Sequence, residues 1–240
     1  MKMKWKRAVG LGVLTIAYAL LVLAFGLVAF ENTAVNEFNY NRHQRALDVY
    51  EDVGVSMAQL QDVQHYVARY LNGEGTLAQI NREVTMFGIV QPIFNEREMA
   101  HMRDVGALFV WLRRLIWVVI GLFLLLNALG RRLSSWDDEL APWMGLGGLV
   151  LWGLVALCVG IGCGFNFDAL FLRFHELMFS NDLWLLDPRT DAMIRMYPAP
   201  FFERMARDIA GNVAAWALVV PVALPLVSWG IGLWKGRRQG

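Results

Sequence analysis

Four stretches of the chain are apolar for about twenty residues, the length at which an α-helix crosses the hydrocarbon core of a bilayer. They run from Ala8 to Phe30, from about Leu108 to Leu129, from Gly145 to Phe165 and from Val213 to Trp234. The first carries no charge, exceeds the length of a signal-peptide core and lacks a small-residue cleavage site, so it reads as a retained anchor. It also lacks a lipobox cysteine, so the chain is not expected to be a lipoprotein itself. Arg113 and Arg114 stand near one end of the second stretch. Pro221 and Pro225 lie inside the fourth, where neighbouring helices can satisfy the freed carbonyls.

Between these stretches the pattern becomes that of amphipathic helices. Ser56 followed by Gln59 is a capping box. Met57, Leu60, Val63, Val67 and Tyr70 then recur at helical spacing, and Gly73 stops the helix. Residues 74–94 fit no single period and admit a short strand near Val84–Ile89. Asn95 with Glu98 reads as a second capping box, opening a helix that runs unbroken into the second apolar stretch. From Glu96 to Leu129 that helix would be about 51 Å long at 1.5 Å per residue, well beyond the ~30 Å core. Neither a repeat of 20–50 residues nor a low-complexity tract is visible.

Composition sharpens this picture. The 240 residues are 57% hydrophobic and only 18% charged, against about 25% charged in soluble domains. Disorder is excluded and a soluble enzyme disfavoured. A net charge of +1 with no strongly basic region speaks against a nucleic-acid partner. The two cysteines, Cys158 and Cys163, lie within the third stretch and do not share a helix face, so neither a disulfide nor a metal pair is expected.

Lysine placement sets the orientation. Lys2, Lys4, Lys6 and Lys235 all lie near the termini, with Arg7, Arg131, Arg132, Arg237 and Arg238 on the same side. The positive-inside rule puts both termini and the 131–144 loop in the cytoplasm. The outer segments hold 18 of the 21 acidic residues and all four histidines. The expected fold is an all-α membrane protein of four transmembrane helices with a small, mainly helical extracytoplasmic cap. Its parts are 1–30 (cytoplasmic N-terminus and first span), 31–107 (outer segment), 108–130 (second span), 131–144 (cytoplasmic loop), 145–165 (third span), 166–212 (outer and interfacial segment) and 213–240 (fourth span and cytoplasmic C-terminus). Any chemistry belongs to the outer face.

Two histidines stand out. His101 has Glu98 and Asp104 three residues to either side, so both carboxylates can share its helix face. A carboxylate there could fix the imidazole tautomer, although the same spacing also describes a solvated charge ladder. His175 sits among Phe171, Leu172, Phe174, Met178 and Phe179 in helical register. Desolvation in such a setting lowers the imidazole pKa and keeps it neutral; a packed histidine in an interfacial helix fits the spacing equally. Asp187-Pro188 ends that helical unit, and Trp184 suits a membrane-interface position.

Other chemistries find little support. His175-Glu176 begins an H-E-x-x-H zinc motif, but Phe179 replaces the second ligand. There is no G-x-S-x-G elbow, and a thiolate within a membrane span would be costly. No metal site and no cofactor is expected. His43 and His65 lie among ordinary polar helix residues. Arg113 and Arg114 suit either lipid phosphate or substrate backbone, or an interfacial snorkelling pair.

The stretch Arg-Glu-x-x-His-Met-x-Asp-Val, Arg97 to Val105, resembles a bacterial integral-membrane family, as does Phe-His-x-x-x-Phe-x-Asn-x-x-Trp-x-x-Asp-Pro, Phe174 to Pro188. The order of four spans and two outer segments is similar too. The family is the lipoprotein intramolecular transacylases of the Lit type, and the resemblance covers nearly the whole chain. Where it leads one to expect a basic residue after Val105, this chain has Gly106.

The resemblance implies an acyltransferase in the bacterial cytoplasmic membrane. It would move the sn-2 acyl chain of a diacylglyceryl-cysteine lipoprotein to the α-amino group of the same cysteine, giving the lyso-form. It implies His101 and His175 as the catalytic pair, a diacylglyceryl lipoprotein as substrate and membrane lipid as surroundings. Arg97, Glu98, Asp104, Asn181, Trp184 and Asp187 are the candidates for orienting the pair or contacting substrate. In the division of roles expected here, His175 is the base and acid, while His101, charged or oriented by Glu98 or Asp104, polarises the ester carbonyl. A non-enzymatic membrane scaffold that docks lipoproteins or envelope proteins is the competing reading.

Overall fold

The computed structural model describes residues 2–134 and 167–216, together with Gly153 and Val219. The rest of the third apolar stretch, the fourth beyond Trp216, the 131–144 loop past Ser134, Cys158, Cys163, Pro221 and Pro225 lie outside the described residues. Ten helical and strand elements are defined in chain order, with one further helix after them. They are α1 (Lys2–Ala34), α2 (Glu37–Ala46), α3 (Val49–Val53), α4 (Met57–Leu71), α5 (Leu77–Ile80), β1 (Glu83–Met86), β2 (Ile89–Pro92), α6 (Glu96–Ser134), α7 (Phe167–Met178) and α8 (Ala192–Met196). The last helix, α9, covers residues 199–216.

Two of these helices are long and apolar enough to cross a membrane. They are Trp5–Ala34, with mean hydropathy 2.6, and Glu96–Ser134, with mean hydropathy 2.2. The chain divides into two compact units: 1–30 with 114–161 and 210–240, and 31–113 with 162–209. In the first unit α1 and α6 run antiparallel at close range. A Cβ on Gly10 would come within 2.6 Å of the Ser134 nitrogen, and one on Gly130 within 2.6 Å of Leu14 Cγ. Small residues at such crossings let helix backbones approach. Farther along, Tyr18 meets Phe123 edge-on and Phe25 stacks on Trp216.

The second unit has its own core. Val49 and Val53 of α3, Leu60, Val63 and Val67 of α4, Ile80, Met196 and Phe201 are almost wholly buried in it. Both expected capping boxes are present. Ser56 Oγ accepts from the Gln59 N–H while the Gln59 side chain accepts from the Ser56 N–H. Asn95 and Glu98 do the same at the start of α6. The α4 helix ends at Leu71, and Gly73 takes φ +81°, the left-handed conformation that ends helices cheaply.

The region read as one short strand is instead a hairpin. β1 and β2 pair antiparallel, with Met86 opposite Ile89 and Glu83 opposite Pro92. They turn through Phe87 and Gly88, both at positive φ, the geometry of a two-residue hairpin loop. Val84 and Met86 point into the core while all of β2 is exposed.

Candidate active site

All of the motif residues belong to the second unit. The first turns of α6 carry Arg97, Glu98, His101 and Asp104; Glu98, His101 and Asp104 follow at three-residue spacing and share one face, with Arg97 one turn before His101 on its exposed flank. His101 is 7% exposed and His175, on α7, is 8% exposed. Their ring centroids are 6.2 Å apart. The separation of 74 positions in sequence is thus closed by the fold, and the two motifs form one site.

Aromatic rings wall the pair. Phe179 packs edge-on against His101 at 5.1 Å, and Phe171 lies 4.2 Å from His175, ring centre to ring centre. Trp184 covers His175 at 5.1 Å, and Phe174 meets it edge-on at 5.4 Å. This apolar cage removes water from both imidazoles and disfavours their charged forms. Burial pushes the His101 pKa down to about 4, helped by the neighbouring His175 and opposed by Asp104. Burial also lowers His175, against the upward pull of its bond to the Phe171 carbonyl. Both groups lie outside the apolar span that begins near Leu108, and in both burial favours the neutral form. Of the two forms expected for His101, charged or oriented, burial favours the neutral, oriented one.

The tautomer of His175 follows from its partner. Its Nδ1 lies 2.7 Å from the carbonyl oxygen of Phe171, one turn earlier. A carbonyl can only accept, so Nδ1 carries the proton and Nε2 presents a lone pair. His101 differs, because its Nδ1 is buried and has no hydrogen-bond partner.

The carboxylates that flank His101 do not bond its ring. Glu98, 1% exposed, uses both oxygens on backbone: Oε2 accepts from the Asn95 N–H at 2.7 Å and Oε1 from the Met193 N–H at 2.6 Å. It thereby caps α8 from another helix, and burial raises its pKa in spite of these bonds. Asp104 accepts from the side-chain amide of Asn181 at 2.8 Å. Arg97 donates to the Asp182 carbonyl. The start of α6 thus grips the 181–193 segment from three points, which is a non-local use that sequence spacing does not reveal.

That segment is also internally braced. Asn181 accepts from the Leu183 N–H through its side chain, and from the Trp184 indole N–H through its carbonyl at 2.9 Å. Asp187 spends its carboxylate on Arg189, which holds its pKa down at about 2. A residue not foreseen is Asp191, 5% exposed. It accepts from the Asn95 amide at 2.8 Å and from the Asp187 N–H at 2.7 Å. The only sequence signal for it was its place shortly after Asp187-Pro188.

The remaining candidates lie elsewhere. His43 is buried against Asp208, with Nε2 to Oδ2 2.7 Å. His65 is exposed and pairs with Glu37 at 3.0 Å. Arg113 is committed to Glu31 and to the Leu71 carbonyl, while Arg114 is exposed. A polar groove of about 600 Å³, lined by Asn32, Asn36, Glu37, His65, Arg69 and Asn72 among others, takes no residue from either motif. Among the described residues no three His, Cys, Asp or Glu side chains are grouped as a metal site.

The model of the family described as lipoprotein intramolecular transacylase Lit matches residues 13–202. The chain belongs to this family. Membership decides for the transacylase, an acyltransferase acting on lipoproteins in a membrane, over a docking scaffold. The fold agrees with solved structures of the membrane-integral lipoprotein intramolecular transacylase Lit from Bacillus cereus. One is 16% identical, with a TM-score of 0.64 over 98% of both chains. Two more, each carrying a substitution of one histidine, are 17% identical with TM-scores of 0.67 and 0.64. They match over 98% of this chain and 95% and 96% of theirs. No curated protein matches the chain.

Proposed function

We propose that the chain moves the sn-2 acyl group of a diacylglyceryl-cysteine lipoprotein to the α-amino nitrogen of the same cysteine, with His175 as proton carrier and His101 as carbonyl polariser. The observation that carries this reading is the facing of the two motif histidines across 6.2 Å inside an aromatic cage. The neutral amine attacks the ester carbonyl carbon, and its proton passes to the free Nε2 of His175. The C–O bond of the tetrahedral intermediate then breaks, and the same proton moves to the departing sn-2 glycerol oxygen. Nucleophile and ester belong to one molecule, so no enzyme nucleophile is needed and orientation supplies much of the rate. Ester-to-amide transfer runs downhill and calls for neither metal nor cofactor.

His101 suits the oxyanion. With its proton on Nε2, the buried Nδ1 is left as an unpaired acceptor rather than an unpaired donor, the cheaper choice. That places a neutral N–H donor where negative charge develops. Arg97, Glu98, Asp104 and Asn181 act as orienting residues: they hold the 181–193 segment, and with it Trp184 over His175. Asp187 belongs to the brace of the same segment. The site faces the extracytoplasmic side of the bacterial cytoplasmic membrane, in a four-span protein with both termini in the cytoplasm and membrane lipid around it.

The test is mass spectrometry of lipoprotein N-termini from cells with the chain, without it, and with His175→Ala. N-acyl, S-monoacylglyceryl cysteine should appear only with the intact chain. Equal amounts of the lyso-form in all three would overturn the reading.

A further inference from the structure

Helix α7 has three distinct faces. Phe171, His175 and Met178 form its inner face. Arg173 and Glu176 pair with each other at 2.7 Å on a polar side that Leu172, 44% exposed, borders. Leu170, Phe174 and Leu177 follow one another at i, i+4 and i+7 on a third face, exposed by 43%, 42% and 83%. Three large apolar side chains in one stripe cannot be explained as scattered surface residues. The stripe borders the inner face and is about 10 Å long from Leu170 to Leu177. At its middle Phe174 meets the His175 ring edge-on at 5.4 Å, so the apolar surface is continuous with the reactive imidazole. Leu185, 55% exposed, follows Trp184, which packs on the same ring at 5.1 Å.

A substrate whose ester carbonyl sits between the two histidines must send its hydrocarbon chain away from them. The inner face is filled by Phe171, Phe179 and Phe202, and the Arg173–Glu176 side would desolvate charge to no benefit. We infer that the stripe Leu170–Phe174–Leu177 is the track on which the migrating acyl chain of the substrate lies, and that it sets the enzyme's preference for chain length. The inference rests on the transacylase reading and adds the location of the chain.

The experiment uses the full chain in lipid nanodiscs. Pairs of diacylglyceryl lipopeptides share one sn-1 chain and differ in sn-2 length, and they compete in one reaction whose N-acyl products are counted by mass spectrometry. Because the surrounding bilayer is itself as apolar as leucine, only packing against the stripe distinguishes the chains, and product yield should slope by about twofold in total between a chain that falls short of Leu177 and one that reaches it. Leu170→Ser and Leu177→Ser should flatten that slope, whereas Phe38→Ser, at an exposed phenylalanine of α2, should leave it intact. A slope unchanged in both leucine variants while they still turn over overturns the track and means that the stripe meets bulk lipid only. Equal flattening by Phe38→Ser overturns it as well. If the wild-type chain forms no N-acyl product at any length, the transacylase reading itself fails and the track fails with it.

Discussion

His175 donates a hydrogen bond from its Nδ1–H to the carbonyl of Phe171 at 2.7 Å. This single bond decides which nitrogen can act, since it leaves the Nε2 lone pair free and fixes the plane of the ring. An amide in place of the imidazole can keep a hydrogen bond but cannot take a proton. His175→Gln and His175→Ala should therefore both lose about 10²–10⁴-fold in turnover, and His101→Ala about 10²–10³-fold. The double variant should be little worse than the weaker single one, because the two act on one transition state. His43→Ala and His65→Ala should keep near-normal turnover of diacylated lipopeptide. Wild-type turnover by purified His175→Gln would remove the base from the mechanism.

Glu98 is a positioning residue with a measurable structural cost. Its two carboxylate oxygens each hold a backbone N–H, from Asn95 and Met193. In Glu98→Gln one of those donors would face an NH₂ group instead of an acceptor. Losing a buried charge-assisted bond costs about 1.5–3 kcal/mol, so the melting temperature of the purified protein should fall clearly. Activity should drop with it while the pH profile of the remaining activity keeps its shape. A Glu98→Gln protein as stable as wild type would show that the link to α8 contributes nothing.

Cap chemistry is local, so Ser56–Gln59 and Asn95–Glu98 were legible in the sequence, as was the unbroken α6. The hairpin was not. Its turn places Phe87 at φ +49°, and a phenylalanine there gives no Asn-Gly signal; the alternation of Val84 and Met86 alone looked like one strand. The histidine pair was legible only through its two motifs, since nothing in spacing brings residues 101 and 175 together. Spacing misled about Glu98 and Asp104. At i±3 they look like partners of the ring, yet their actual partners, Met193 and Asn181, lie far along the chain. His43 likewise looked ordinary because Asp208 is distant in sequence.

Gly106 is required by Tyr70. A Cβ at that position would stand 2.3 Å from the Tyr70 hydroxyl oxygen and within 2.6 Å of two ring carbons. Gly106→Ala should destabilise by up to about 2 kcal/mol, an overpacking cost of about 1–3 kcal/mol offset by the ~1 kcal/mol that alanine gains over glycine inside a helix. Tyr70→Phe in the same chain should rescue little, because the ring carbons remain. Tyr70→Ala should remove the clash, so the two substitutions together should cost less than their sum. Strict additivity in thermal or denaturant unfolding would mean that the tyrosine moves aside freely.

The lowered pKa values set the acid limb of the reaction. The substrate amine has a reference pKa of about 7.7–8.0, so the rate should rise about tenfold per pH unit up to that value. Below it, an ordinary histidine would add a second loss of activity from about pH 6.5. His101 at about 4, and His175 below its usual value, delay that loss. The plot of log kcat/KM against pH should thus keep a slope of one below pH 6.5 and steepen only at lower pH. Stability should follow the same groups. Between pH 6.5 and about 4 the unfolded chain binds more protons than the folded one, so stability falls as the pH drops through that window and is fully present above it. A slope of two that begins at or above pH 6.5 would mean that at least one of the two imidazoles is hydrated in the working enzyme, and the aromatic cage would not be what keeps the pair neutral.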